Sequence, residues 1–447
     1  MRFVLAALGV EVLLLVCAGS ASASWSTPRS FSSSGSIGGE AVAVDSRGEA
    51  AVAWSRQPPP PGFSFGTAIR VAIRLPDGRL IRRVVWSSRA DRPAGVSVVI
   101  GHGQVTVAWA VETPKQQRRG RGEATVWSAF GPLIGRWAPP RVIGRQALSI
   151  APVGRSLHLA ISPFGEVLLA FDDGSPAING PAAAWRAPGR PFAAPRRLFG
   201  RTNVALTVPH QFGPIPEFDP QGRAYVWGRC DGVVVSTAPR SHTFGRPVIL
   251  ARRPVSSFTL SLAGPGRGLA AWIRGGCAVA MEEGNKPGPL LASVLRGGSF
   301  SSPVAVTGPS TLAVGSVALA QRAGGGTVTW VQEDAPPVPA RNVHIGTNGR
   351  PGPILPAPVS YDVLVPGAYD GGGDTVLVPA AEWDLPGAEQ SPEADAAAVA
   401  PAGGGSQQLA PVSVQAGGRT GVASFGRRVV RLWSNSPSTL AVSVWRP

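Results

Sequence analysis

The feature that most limits how this chain can fold is a short unit that recurs along most of its length. Each copy has an apolar strand, a polar turn ending in glycine, and an alternating strand ending in an aromatic residue. The copies read AVAVDSRGEAAVAW to Trp54, VSVVIGHGQVTVAW to Trp109, LAISPFGEVLLAF to Phe171, EFDPQGRAYVW to Trp227, LSLAGPGRGLAAW to Trp272, VALAQRAGGGTVTW to Trp330 and GVASFGRRVVRLW to Trp433. A weaker copy lies near Val378, within 360–414. Trp54 to Trp433 spans seven steps, with a period near 54 residues. A fixed period of this size marks a repeat architecture.

Glycine stands six residues before the aromatic in four copies, at Gly48, Gly103, Gly165 and Gly266, where a tight hairpin needs a positive φ. The strand that follows alternates with period two. Val105, Val107 and Trp109 share one face, while small residues such as Ala51, Ala53, Thr106 and Ala108 occupy the other. A large face and a small face on each sheet let one sheet nest against the next. A second motif follows, an aromatic with proline three residues later: Trp137 with Pro140, Phe192 with Pro195, Phe244 with Pro247 and Phe300 with Pro303. Proline cannot donate to a ladder, so it marks the outermost strand. With a third apolar run between the motifs, such as Ala68 to Leu75, each unit has four strands.

These features predict an all-β, closed β-propeller of four-stranded antiparallel blades. Eight copies imply eight blades; seven is the alternative, because the copy at 360–414 is degenerate. The last copy stops after a third strand, Leu440 to Trp445, and the missing outer strand matches Trp25-Ser26-Thr27-Pro28-Arg29. Residues 25–31 are therefore expected to pair with 439–445, completing the last blade.

Residues 1–23 read as a secretory signal: Arg2, then an apolar run from Phe3 to Val16 broken by Glu11, then Ala21-Ser22-Ala23. An uncleaved anchor is the alternative. Residues 24–447 then form one domain, with no transmembrane span and a secreted or cell-surface location. With 57 Gly and 45 Pro, the chain is turn-rich, yet 44% hydrophobic residues exclude disorder. The net charge of +16 is almost all arginine. Because the arginines are scattered along the sequence, it reads as a coding bias and not as a nucleic-acid footprint. The densest cluster, Arg118, Arg119 and Arg121, is a candidate contact for an anionic cell-wall polymer. Cys230 and Cys277 each follow the second strand of adjacent units, so a disulfide between blades and two separate thiols are both open.

Searching for chemistry gives no catalytic, cofactor or metal motif. The histidines His102, His158, His210, His242 and His344 lack ligand spacing and read as turn or surface residues. Asp362, Asp370, Asp374, Glu382, Asp384, Glu389, Glu393 and Asp395 make one acidic segment, which reads as a solvated loop before a calcium site. Asp45, Gly48 and Trp54 only partly resemble the Asp-box turn of sialidases, because the aromatic follows the aspartate by nine residues instead of five. Tyr225 reads as core. The repeated VAVD-x-x-G-x-A-x-VAW units resemble a class of exported propeller proteins common in high-GC actinobacteria. That resemblance implies fold and export, and it carries no activity or site residue. The expectation is a monomeric, non-catalytic, extracellular binding or scaffolding protein that recognises protein or glycan. The alternative is a carbohydrate-active enzyme, glycosidase- or lyase-like, with its site in a central funnel.

Overall fold

The structure is a computed structural model. It describes residues 24–25, 29–32, 36–57, 67–112, 123–147, 157–198 apart from 176 and 179, 214–228, 232–251, 255–275, 288–308, 313–320, 324–332 and 340–356, and the strands between 368 and 446. Every regular element among them is a β-strand. The first unit comprises Ser36–Val44, Ala50–Gln57, Thr67–Arg74 and Leu80–Ser88, paired antiparallel in that order. The second has Arg92–Gly101, Gln104–Glu112, Glu123–Pro132 and Arg141–Ala147. The third has Leu157–Ile161, Val167–Asp173, Gly180–Arg186 and Arg196–Arg197. The second and third are joined at one pair, Gln146 with Asp173, into an eight-stranded sheet. The fourth has Pro214–Phe218, Ala224–Gly228, Val233–Ser236 and Val248–Ile249. The fifth runs from Val255–Gly264 through Arg267–Arg274 and Leu290–Arg296 to Val304–Ala305, and the sixth from Ala313–Ala320 through Gly326–Gln332 and Ala340–Ile345 to Pro351–Pro356. A sheet of short strands follows, Ala368–Tyr369 to Gln407–Gln408.

The final sheet joins the two ends of the chain. Thr420–Phe425, Arg428–Ser436 and Thr439–Arg446 form a meander, and the N-terminal strands Ser24–Trp25 and Arg29–Ser32 both add to its edge. Trp25 lies opposite Trp445, and Phe31 opposite Leu440. The pairing expected from the sequence is therefore present.

The turns between first and second strands show why the glycines recur. Gly48, Gly103, Gly165 and Gly266 have φ of 80°, 71°, 82° and 58°. At Gly266 a Cβ would also press on the backbone of Gly297 and Gly298. The residue opening the turn fixes it: the Asp45 carboxylate accepts the amides of Arg47 and Glu49, each at 2.9 Å. Ser162 does the same with Phe164 and Glu166, and Asp219 with Gln221 and Arg223. These are Asx- and Ser-type turns, which explains the aspartate without any glycosidase motif.

Large-on-small nesting builds the core. Val105, Val107 and Trp109 pack on Ala51 and Ala53 of the preceding unit. Leu169 and Phe171 pack on Ala108, and Trp330 sits in one cluster with Ala271. Thus the aromatic that ends a second strand fits over the small face of the sheet before it.

The fourth unit departs from this pattern. Its turn glycine, Gly222, precedes Trp227 by five residues, not six, and successive side chains of a strand point to opposite faces. Trp227 accordingly faces forward, with its ring centroid 5.6 Å from Phe258 of the fifth unit, and Phe258 in turn stacks 5.9 Å from Trp272. Sequence reading treated Trp227 as equivalent to Trp109 and Phe171; its orientation is the opposite. The backward face of the fourth unit shows Ala224 and Val226 instead, and Trp185 from the third strand of the third unit fills that interface with Leu198.

Candidate functional site

First strands form the inner edge of the sheets and pack on one another. Ser36–Val44 meets Arg92–Gly101, which meets Leu157–Ile161, and that strand meets Pro214–Phe218. Ser36–Val44 also packs against Thr420–Phe425 of the final sheet. Polar side chains on this inner edge stitch neighbours together. Ser97 accepts the Leu159 amide at 3.1 Å. Glu217 accepts the Leu262 amide at 3.0 Å, and Asp219 accepts that of Gly266 at 2.9 Å.

The contact of the fourth unit with the fifth is unusual, because Glu217 and its cross-strand partner Tyr225 stand on the forward face, where Ala43 and Ala51 stand in the first unit. Desolvation pushes the Glu217 carboxyl up to about 8, only partly offset by the Leu262 amide. Tyr225 is buried, and desolvation carries its phenol to about 12. Both groups are neutral acids at pH 7. They can donate or accept hydrogen bonds there, but neither is a charged base or nucleophile.

A second buried polar group is Arg186, at the end of the third strand of the third unit and only 1% exposed. Its guanidinium reaches into the second unit, donating to Thr106 Oγ1 at 2.9 Å and to Gln104 Oε1 at 3.4 Å. It lies 4.6 Å from the centroid of the Phe130 ring. Desolvation lowers it to about 10, so it stays charged. Its Nε has no hydrogen-bond partner among the described residues.

A third cluster crosses the third and fourth units where their turns meet. His242 Nε2 lies 2.9 Å from Glu166 Oε1 and its ring stacks on Trp185 at 4.5 Å. Beside it, the Arg240 guanidinium sits 4.0 Å above the Phe164 ring. Arg240 and His102 are the two non-glycine residues with positive φ among those described.

Of the residues singled out by sequence, Cys230, Cys277, His210, Arg118, Arg119 and Arg121 lie outside the described residues. The segments that carry the two cysteines and three arginines join second to third strands. Tyr225 is core, as read. His102, His242 and His344 are exposed, while His158 is half-buried on an inner strand. Sequence reading missed Glu217 and Arg186. Glu217 follows a proline in a short strand, and only its place two residues before the turn-opening Asp219, as Ala43 stands before Asp45, signals its face. Arg186 carries no sequence signal that separates it from the other arginines.

Stacked, four-stranded antiparallel sheets packed inner strand to inner strand define an all-β protein of propeller-like architecture. No family model and no curated protein sequence matches the chain. It is similar in structure to YCF48 bound to a D1 peptide, with TM-score 0.42 and 10% identity over 94% of this chain and 97% of that one. It is also similar to the polysaccharide lyase Uly1, with TM-score 0.44 and 9% identity over 80% and 91%. The Trypanosoma rangeli sialidase in complex with the inhibitor DANA gives TM-score 0.36 and 11% identity over 92% and 91%.

Proposed function

We propose that this chain is an exported, non-catalytic binding propeller of eight blades, closed by its N-terminal strand, that recognises a protein or a glycan outside the cell. Support for closure comes from the pairing of residues 24–32 with the last strand and from the packing of the first inner strand on the final sheet. The observation that carries the binding reading is how the connections are distributed. Strands in each unit run alternately up and down, so second-to-third and fourth-to-first connections leave from one end. The segments 58–66, 113–122, 148–156, 199–213, 276–287 and 333–339 are all of these two kinds. Third-to-fourth connections, at the other end, stay pinned to their sheets, as by Ala193 N to Trp185 O and Gly245 N to Ser236 O, each at 2.8 Å. Long connections gathered at one end of a rigid stack are a recognition surface.

The carbohydrate-active alternative needs two carboxylates across a sugar-sized gap. Among the described first strands Glu40 and Glu217 carry the carboxyls, and Glu217 is bonded to the Leu262 amide and raised to about 8. An array of glycans and a pull-down from envelope extract, read beside a reducing-end assay on the same glycans, tests the reading. Saturable capture without bond cleavage is expected. New reducing ends would transfer the protein to the enzyme class.

A further inference from the structure

The arginines that look scattered in the sequence are ordered in the fold. In each of the first six units an arginine stands in the turn between third and fourth strands or on the last residue of the third strand: Arg79, Arg136, Arg190, Arg240, Arg296 and Arg350. All six are exposed. Alternation of strand direction puts these turns at the end of the stack that also holds the first-to-second turns. Contacts between units confirm this: a Cβ at Gly165 would touch His102 of the second unit, one at Gly222 would touch Phe164 of the third, and one at Gly298 would strike the Arg223 guanidinium. Arg47, exposed in a first-to-second turn, and Arg267, exposed at the start of a second strand, add to the same end.

Among the described residues of these turns, little opposes this charge. Asp45, Glu49 and Asp219 are buried in their own turns. Asp77 pairs with Arg79 at 2.6 Å, and Glu166 is held by His242. Two large apolar side chains are exposed among the arginines: Ile134, 61% exposed beside Arg136, and Phe164, 38% exposed beneath Arg240.

We propose that this end docks on an anionic lipid surface. The charges project from the turn tips of successive sheets instead of lining a groove, which matches a plane of headgroups better than a single bound chain. Arginine supplies the long-range attraction and bidentate phosphate contact. Ile134 and Phe164 supply the second, apolar signal that peripheral attachment requires. Docking at this end would leave the long connections pointing away from the membrane. The inference is independent of which ligand those connections bind.

The test uses the processed chain recovered from an expressing cell, with phosphatidylcholine vesicles prepared with and without phosphatidylglycerol. Sedimentation with the phosphatidylglycerol vesicles alone is expected, and it should weaken as salt screens the charges. Replacing Arg136, Arg190 and Arg240 with serine should weaken binding about fivefold for each arginine removed. An equal charge change at the opposite end, at Arg89, Arg145 and Arg274, should leave it near the parent value. Ile134→Ser should lower the binding that survives in high salt. Circular dichroism verifies that each variant is folded. Equal losses from the two triple variants, or no sedimentation with anionic vesicles, would overturn the proposal. So would retention on a sulfated polysaccharide matrix, abolished by the first triple variant, in a chain that ignores vesicles; the partner would then be a soluble polyanion.

Discussion

At the scale of single residues, the informative groups are buried and polar. Glu217 is raised to about 8 from an ordinary 4.5, chiefly because the interface with the fifth unit desolvates it. Glu49 is raised to about 7 by burial and by Asp45 beside it. For an acid raised on folding, the native state holds its proton more tightly than the unfolded chain. That contribution to stability is complete below about pH 4.5 and is lost as pH rises toward the native value. The melting temperature should therefore fall between pH 4.5 and 8, and Glu217→Gln should flatten the upper part of that fall. Glutamine keeps an oxygen for the Leu262 amide, so the variant should fold normally. Identical slopes for parent and variant, measured by calorimetry across this range, would show that Glu217 ionises freely. Arg186 illustrates a different balance: its hydrogen bonds to Thr106 and Gln104 and its place over Phe130 offset the cost of burying a charge without a carboxylate.

At the scale of elements, much was legible in the sequence because it is periodic. Alternation gave the faces, glycine spacing gave the turns, and the aromatic-x-x-proline motif gave the outer strands, which begin at Arg141, Arg196, Val248 and Val304, just after the prolines. The face of Trp227 was not read, although the signal was one residue of spacing. The turn closes with the same pairs in the first, third and fourth units, so the strand keeps its phase and the aromatic alone stands one position earlier. Glu217 was missed because it occupies a position held by alanine, Ala43, in the first unit. Inserting alanine after Gly222 restores the six-residue spacing and should rotate Trp227 back toward the third unit. Trp185 already occupies that interface, so the insertion overfills it and empties the contact with Phe258. Overpacking on one side and a void on the other each cost about 1–5 kcal/mol. The insertion should lower the urea midpoint well below that of an alanine inserted within residues 58–66, between the second and third strands of the first unit. Equal midpoints would mean that the turn absorbs the extra residue and the strand keeps its phase.

At the scale of the whole molecule, one ordering was invisible to local reading. Arginine appears diffuse along the chain because the turns that carry it are far apart in sequence and adjacent only once the sheets stack. The pairing of the N-terminal strands with the last strand was legible, because the missing outer strand of the last copy has a counterpart near the start. The expected cleavage after Ala23 would place the new terminus at Ser24, which is already paired with Arg446. The terminal sheet therefore depends on residues with no spacer before them. Deleting residues 24–32 should strip the outer edge of Thr439–Arg446, leaving its backbone amides and carbonyls open to another chain. The expected outcome is a lower melting temperature together with concentration-dependent association in sedimentation velocity. Because the lost contacts are main-chain pairs in a fixed register, a synthetic peptide of residues 24–32 should bind the truncated chain and restore both properties. A truncated chain that melts and sediments like the parent would mean that the N-terminal strand is an ornament on a stack already closed without it.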